Sequence, residues 1–357
     1  MAFMVFFFGY VYILMSPIFA SVAMFNPICL LNPTKIDGME FYLYTKDAVT
    51  RIAVDERTVK RAPFASSKEI VIFIHGYTAH YDDRFSSVIP KAYLNGTEDR
   101  NVIMVDYSRV TGDVPQSNFG STAIWAMLYA KSVYCDLPLI AEEIANLVEL
   151  IRNERPGIVN VHVIGHSLGG QIAGQVGVIY RQSTGRLLDR VTALDPAGPL
   201  FEEKAIVSPR VAKFVDVVHT GVAVLGYVEP IGTVDFYMNN GVIQTGCLNY
   251  GRETWVQEQK DTVGCSHLAA ILYYADSINN NKIIGKSCNE IEQLVKNKIN
   301  LLPVDNDNNN AISKLCSSQV KSEGNSVVFG EHVSLESVGI YYVTIRNVPF
   351  SELLNNF

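Results

Sequence analysis

No charged side chain occurs before Lys35 in this 357-residue chain. The uncharged stretch is apolar through Met15, then meets Ser16-Pro17 and the small residues around Ala20 and Ala23. An apolar core, a proline break and small residues fit a secretory signal cut after Ala20 or Ala23, here without the usual basic n-region. A membrane anchor is the rival reading, but Gly9 and Pro17 interrupt the run and no Lys or Arg flanks it. No later run is apolar enough to span a bilayer. No CxxC pair occurs, which argues against a structural zinc site. Positive charge is not in excess: the net charge is −7. A nucleic-acid partner would want a basic surface and is not favoured. There is no internal repeat and no linker that marks off a second folded unit. The expected organisation is a signal over residues 1–23 and one domain over 24–357.

What remains has an ordinary globular composition, 48% apolar and 18% charged. Six cysteines follow the signal: Cys29, Cys135, Cys247, Cys265, Cys288 and Cys316. An even number in an exported chain suggests three disulfides, with the pairing left open. Asn95-Gly96-Thr97 is a glycosylation acceptor, expected on a surface loop. Together with the apolar leader, these features give an extracellular expectation.

Apolar β-branched runs alternate with helical patterns. Residues 69–76, 101–108, 190–195 and 213–220 read as strands. Residues 139–151 place apolar side chains at helical spacing with charges opposite. Residues 326–330 and 339–345 look like late β segments, and the polar run 305–310 reads as a loop. Strands alternating with helices predict an α/β fold, a mostly parallel sheet covered on both faces.

The chemistry centres on Val161-His162-Val163-Ile164-Gly165-His166-Ser167-Leu168-Gly169-Gly170. A buried strand breaks into Gly-x-Ser-x-Gly and turns helical, the pattern of a nucleophile elbow. The bare pattern arises easily by chance, and a glycine-rich turn with an incidental serine would share it. The strand before it and the small-residue helix after it argue for a nucleophile at Ser167. In an α/β hydrolase the acid and then the histidine follow in the chain. Asp195 sits just past a strand end, where Pro196 and Pro199 fix its loop. Asp216, inside the next strand, is the rival acid, with a structural role the better reading. His219, His267 and His332 are the candidate bases. His219 ends an apolar strand and suits a hydrogen-bonded core role, and His332 lies in a late β-like segment. His267 is expected to open a helix directly after Cys265, which could pin it within reach of Ser167. An oxyanion hole needs two backbone N–H groups. Leu168 supplies one, and the strand-ending Ile74-His75-Gly76-Tyr77 offers Tyr77 as the other. Each donor is worth about 3 kcal/mol to the transition state.

These pieces, with Val105-Asp106-Tyr107, Leu194-Asp195-Pro196-Ala197-Gly198-Pro199, Phe214-Val215-Asp216-Val217-Val218-His219-Thr220, Asp235-Phe236-Tyr237 and Cys265-Ser266-His267, fall in order along residues 70–280. In that order they resemble the pancreatic-lipase family of secreted lipases. The resemblance implies an α/β-hydrolase fold and a triad of Ser167, Asp195 and His267. It pairs Cys247 with Cys265 and Cys288 with Cys316, which leaves Cys29 with Cys135.

The resemblance also frames substrate class. Between Cys247 and Cys265 it places a lid, here the 17 residues Leu248 to Gly264, intermediate in length and polar apart from Leu248, Trp255 and Val256. A second, short loop follows His219, from Gly221 to Thr233. Short covers lean towards phospholipid or another polar glycerolipid, with phospholipase A1-type chemistry, over triglyceride. Where the family's calcium loop would carry carboxylates, residues 207–212 have none. No bound metal and no cofactor are therefore expected. About 90 residues follow His267 and match the tail of a catalytic domain, so neither a C-terminal lipid-binding β-sandwich nor a colipase partner is expected. Yolk-protein-like relatives, non-catalytic carriers on this fold, typically lack parts of the triad.

Overall fold

The computed structural model describes residues 29–30, 33–112, 119–222, 224–239, 241–247, 255–288, 326–345, 349–355 and 357. Within them a single 11-stranded sheet runs through the protein. In chain order its strands are β1 (Glu40–Tyr44), β2 (Val49–Ile52), β3 (Glu69–Ile74), β4 (Asn101–Asp106), β5 (Asn160–His166), β6 (Leu188–Leu194), β7 (Ala212–His219), β8 (Val234–Met238), β9 (Ile284–Ser287), β10 (Ser326–Val328) and β11 (Gly339–Val343). Across the sheet the order is β10-β9-β11-β8-β7-β6-β5-β3-β4-β1-β2. The seven strands from β11 to β4 pair in parallel. Antiparallel pairs close both edges: β1 on β4, β2 on β1, β9 on β11 and β10 on β9.

Parallel central strands must bury both faces, so they read as continuous apolar runs. Alternate residues of β3 divide accordingly. Ile70, Ile72 and Ile74 join one core with Val163, Val191 and Val215, whereas Val71 and Phe73 join another with Ile164, Leu194 and Phe214. Two helices cover the first face, α5 (Leu137–Glu154) and α6 (Leu168–Thr184), through Ile140, Ile144, Leu147, Ile172 and Val176. The second face is covered by α2 (Val88–Leu94) and α7 (Trp255–Asn279), through Ile89, Ala92, Ala269 and Leu272. Each of these isoleucine, leucine and valine side chains adds about 1.5–3 kcal/mol of burial. The remaining helices are α1 (Glu56–Arg61), α3 (Ser108–Thr111), α4 (Phe119–Lys131) and α8 (Phe350–Asn355). Helix ends carry the expected punctuation. Asp55 caps α1 by accepting from the Thr58 N–H, and Gly185 ends α6 in the left-handed conformation at φ 70°.

The strands expected over 69–76, 101–108, 190–195 and 213–220 all form, and the late segments become β10 and β11. Three expectations are corrected. First, α7 begins at Trp255, so His267 lies well inside a helix and does not open one. Second, His332 belongs to a 3-10 turn over Gly330–His332, where its Nε2 pairs with the Ile278 carbonyl at 3.0 Å. Third, β1, β2, β8 and β9 were not anticipated. They are four or five residues long, and periodicity alone does not distinguish so short a run from other structure.

Two disulfides join Cys29 to Cys135 and Cys247 to Cys265, with Cα–Cα separations of 5.5 and 5.7 Å. Cys288 is also disulfide-bonded; Cys316 lies outside the described residues, as do the signal region 1–23 and the polar run 305–310. Cys135 falls in a π-helical turn, Ser132–Asp136, between α4 and α5. There the buried Lys131 ammonium meets the Asp136 carboxylate at 2.7 Å. Asn95 is exposed at the C-terminal end of α2.

Candidate active site

Parallel strands bring their C-terminal ends to one rim of the sheet, and the candidate residues collect there. Ser167 follows β5 immediately and Asp195 follows β6. Both have a left-handed backbone, with φ 56° at Ser167 and 43° at Asp195. Non-glycine residues rarely adopt that region, and holding one there costs about 1–3 kcal/mol. The surroundings enforce it. The Ser167 N–H donates to the Leu194 carbonyl at 3.0 Å, and the Asp195 N–H donates to the Val218 carbonyl at 2.7 Å. The elbow also needs Gly165, because a Cβ there would lie 2.0 Å from the Gly169 carbonyl oxygen.

Asp195 is fully buried, and its carboxylate is completely engaged. Oδ1 accepts from the Thr220 N–H at 2.9 Å, the Gly221 N–H lies 3.0–3.1 Å from both oxygens, and His267 Nδ1 donates to Oδ2 at 2.6 Å. Binding through Nδ1 leaves the His267 Nε2 available for proton transfer. His267 is itself tied to the serine's neighbour: the His166 Nε2–H donates to the His267 carbonyl at 3.0 Å, with ring centroids 4.6 Å apart. Burial, helped by the adjacent His267, holds His166 well below its ordinary range. It is therefore held neutral, with its Nε2 committed to the His267 carbonyl. Ser167 is half-buried, consistent with a side chain that a ligand can reach.

The loop after β3 closes against the serine. A Cβ at Gly76 would stand 3.2 Å from the Ser167 Cβ, so the next residue, Tyr77, starts beside Ser167. Leu168 is the first residue of α6, where the N–H groups of the opening turn lack helical partners. The Tyr77 ring meets Tyr129 and Trp125 edge-on at 5.2 and 5.8 Å, while Trp125 and Tyr129 stack at 5.4 Å. Burial, with Asp136 nearby, pushes the Tyr77 phenol up to about 12.

The rival candidates lie elsewhere. Asp216 makes two bonds to the Arg190 guanidinium, 2.9 and 2.8 Å, and accepts from Thr192 at 2.7 Å, all buried. His219 is a core histidine between the Tyr227 carbonyl and Asp235. Three contributors escaped the sequence reading: His166, and the backbone N–H groups of Thr220 and Gly221. Backbone donors leave no side-chain signature, and His166 is signalled only by its place inside the elbow. Among the described residues no three His, Cys, Asp or Glu side chains converge as a metal site would require.

Comparison with known proteins identifies the family. The family described as Lipase matches residues 26–323. Pancreatic triacylglycerol lipase of Oryctolagus cuniculus is 31% identical over 299 residues, covering 76% of this chain and 59% of that protein. Pancreatic lipase-related protein 2 of Bos taurus is 31% identical over 283 residues, 73% of this chain and 56% of that protein. Lipase member H-A of Xenopus laevis is 32% identical over 234 residues, 62% of this chain and 44% of that protein. The chain thus spans less than two thirds of the length of these relatives. With a serine elbow, a buried Asp–His pair and a family match that covers most of its length, the chain belongs to the lipase family.

Proposed function

We propose that the protein is an exported serine hydrolase of glycerolipid acyl esters, with Ser167 as nucleophile, His267 as base and Asp195 as the acid that orients it. The bond from His267 Nδ1 to Asp195 Oδ2 at 2.6 Å, beside the Ser167 elbow, carries this reading. His267 Nε2 takes the Ser167 proton as Oγ attacks the ester carbonyl, and Asp195 stabilises the imidazolium that forms. The tetrahedral oxyanion lies between the N–H groups of Tyr77 and Leu168. Collapse expels the alcohol, which leaves with the proton from His267. Water, deprotonated by the same histidine, then frees the fatty acid.

The polar lid segment 248–264, intermediate in length, and the short loop 221–233 favour phospholipid with cleavage at the sn-1 ester. The names of the pancreatic relatives favour neutral glycerides as the second reading. Residues 24–357 act as one catalytic domain without colipase, metal or cofactor. The intact Ser, Asp and His set speaks against a carrier role. Asn95, exposed, is the expected glycan site. The test is turnover of phosphatidylcholine liposomes against a triglyceride emulsion, with release resolved by position. Ser167→Ala is the control. Equal turnover by parent and Ser167→Ala overturns the enzyme reading, and faster emulsion turnover overturns the phospholipid preference.

A further inference from the structure

Two side-chain sets with one design flank the site. In the first, His75 follows β3, and Asp106 and Tyr107 lie at the end of the neighbouring β4. In the second, His219 ends β7, and Asp235 and Tyr237 lie on the neighbouring β8. Each histidine stacks on its tyrosine at 4.2 Å, tilted by 11° in the first set and 8° in the second. Each Nε2 meets its aspartate Oδ1, at 3.3 and 3.0 Å, and each Nδ1 meets a loop carbonyl, Gly76 at 2.8 Å and Tyr227 at 3.1 Å. In both, the tyrosine hydroxyl holds a second carbonyl, His75 at 2.8 Å and Val228 at 2.7 Å. All six side chains are buried.

The carbonyls they hold matter. Gly76 C=O and Tyr77 N–H belong to one peptide plane and point opposite ways. A ring nitrogen bonded to that oxygen therefore sets the direction of the Tyr77 N–H. On the other side, the Tyr227 carbonyl follows directly on Gly226, whose backbone presses on the acid: a Cβ there would be 2.5 Å from Asp195 Oδ1. Gly226 N–H donates to the Gly221 carbonyl at 3.0 Å, and Gly221 N–H holds Asp195. The Asp235 carboxylate additionally accepts from the Ile231 and Gly232 N–H groups, each at 2.9 Å, which fixes the far end of that loop.

We propose that these two matched His–Asp–Tyr sets are positioning devices, the first aiming the Tyr77 N–H at the oxyanion and the second holding the backbone cup around Asp195. The proposal rests on the catalytic reading above. It gives the two sets separable signatures. Asp106→Asn lowers kcat about tenfold or more at unchanged KM, short of the roughly 100-fold or larger loss of a whole oxyanion donor. It weakens an alkylboronic acid, which mimics the tetrahedral state, by the same factor, and leaves the low-field proton resonance of the His267–Asp195 bond in place. Asp235→Asn shifts or abolishes that resonance, because the cup around Asp195 relaxes. Tyr107→Phe and Tyr237→Phe remove one hydroxyl each and reproduce the two patterns more mildly, which decides the matter if an aspartate variant fails to fold. The proposal is overturned if a folded variant of the first set moves that resonance, if the folded variants of the second set leave it as in the parent, or if neither set moves any readout. Ser167→Ala is run alongside. Lost turnover there, with all four positioning variants like the parent, overturns the positioning role alone, whereas retained turnover in Ser167→Ala overturns the catalytic reading itself.

Discussion

Ser167 and Asp195 are joined through one backbone bond: the Ser167 N–H donates to the carbonyl of Leu194, the residue directly before the acid, at 3.0 Å. Ser167 and Asp195 thus follow two adjacent parallel strands in register, and both are held with positive φ. Strain at the serine yields the first prediction. Ser167→Gly and Ser167→Ala both lose turnover, but the glycine variant is the more stable by about 1 kcal/mol, because glycine adopts this conformation without a Cβ penalty. Thermal melting of the pair checks it, and an alanine variant at least as stable contradicts it.

Asp195 and Asp216 should separate stability from chemistry. Asp195→Asn disturbs the His267 tautomer and lowers kcat by roughly 10⁴-fold with little change in melting temperature. Asp216→Asn breaks a buried pair with Arg190 and destabilises by about 3 kcal/mol, yet the folded fraction keeps its turnover. Urea titration together with initial rates distinguishes the two. Loss of turnover in folded Asp216→Asn would exchange their roles.

Acid should weaken the fold over a defined range. Burial holds His162 and His166 well below the ordinary histidine value, His162 with help from Arg190 and His166 with help from His267. Below about pH 6.5 the unfolded chain takes up protons that these folded sites refuse, so stability is complete above that pH and falls beneath it. Each histidine contributes a slope of up to about 1.4 kcal/mol per pH unit. Asp106, whose bonds to His75 and Ser108 outweigh burial and lower it to about 2, adds its own loss only below the ordinary aspartate range. Denaturant unfolding between pH 7.5 and 5 reads the slope. His162→Gln should flatten it, and an unchanged slope would assign the acid sensitivity elsewhere.

The disulfides differ in the span they close. Cys29–Cys135 joins residues 106 apart and Cys247–Cys265 residues 18 apart. Constraint of the unfolded chain is then worth about 4.7 kcal/mol for the first and about 3 kcal/mol for the second. Paired Cys→Ser replacement at 29 and 135 should lower the melting temperature more than replacement at 247 and 265. The reverse order would mean that native contacts, not span, dominate.

Much of this was legible in the sequence because central parallel strands advertise themselves. Residues 70–74 are apolar on both faces and 161–164 are apolar apart from His162, and the breaks after them fall at His75-Gly76 and Ser167. The acid was legible because Pro196 ends its strand. The edges were not. β2 is four residues long with two of them exposed, so its pattern resembles that of a loop, and β1 spans only five residues. The start of α7 was hidden by the polar stretch before Cys265, which looked like loop and forms helix from Trp255. The cup around Asp195 is made of main-chain N–H groups, and main chain has no residue code. The two His–Asp–Tyr sets appeared in the sequence only as fragments of larger motifs. Their likeness emerges when adjacent strands bring together residues 31 positions apart in the first set and 16 in the second.

The two-sided packing of the sheet bears on how such a protein can change over generations. The apolar residues that hold it together point into layers above and below the strands, while Ser167, Asp195 and the loop that opens with His75 sit at one rim. A covering segment can lengthen, shorten or change its polarity without disturbing either layer. On the proposed reading, the lipid accepted can therefore change from one descendant to the next while Ser167, His267 and Asp195 stay where they are.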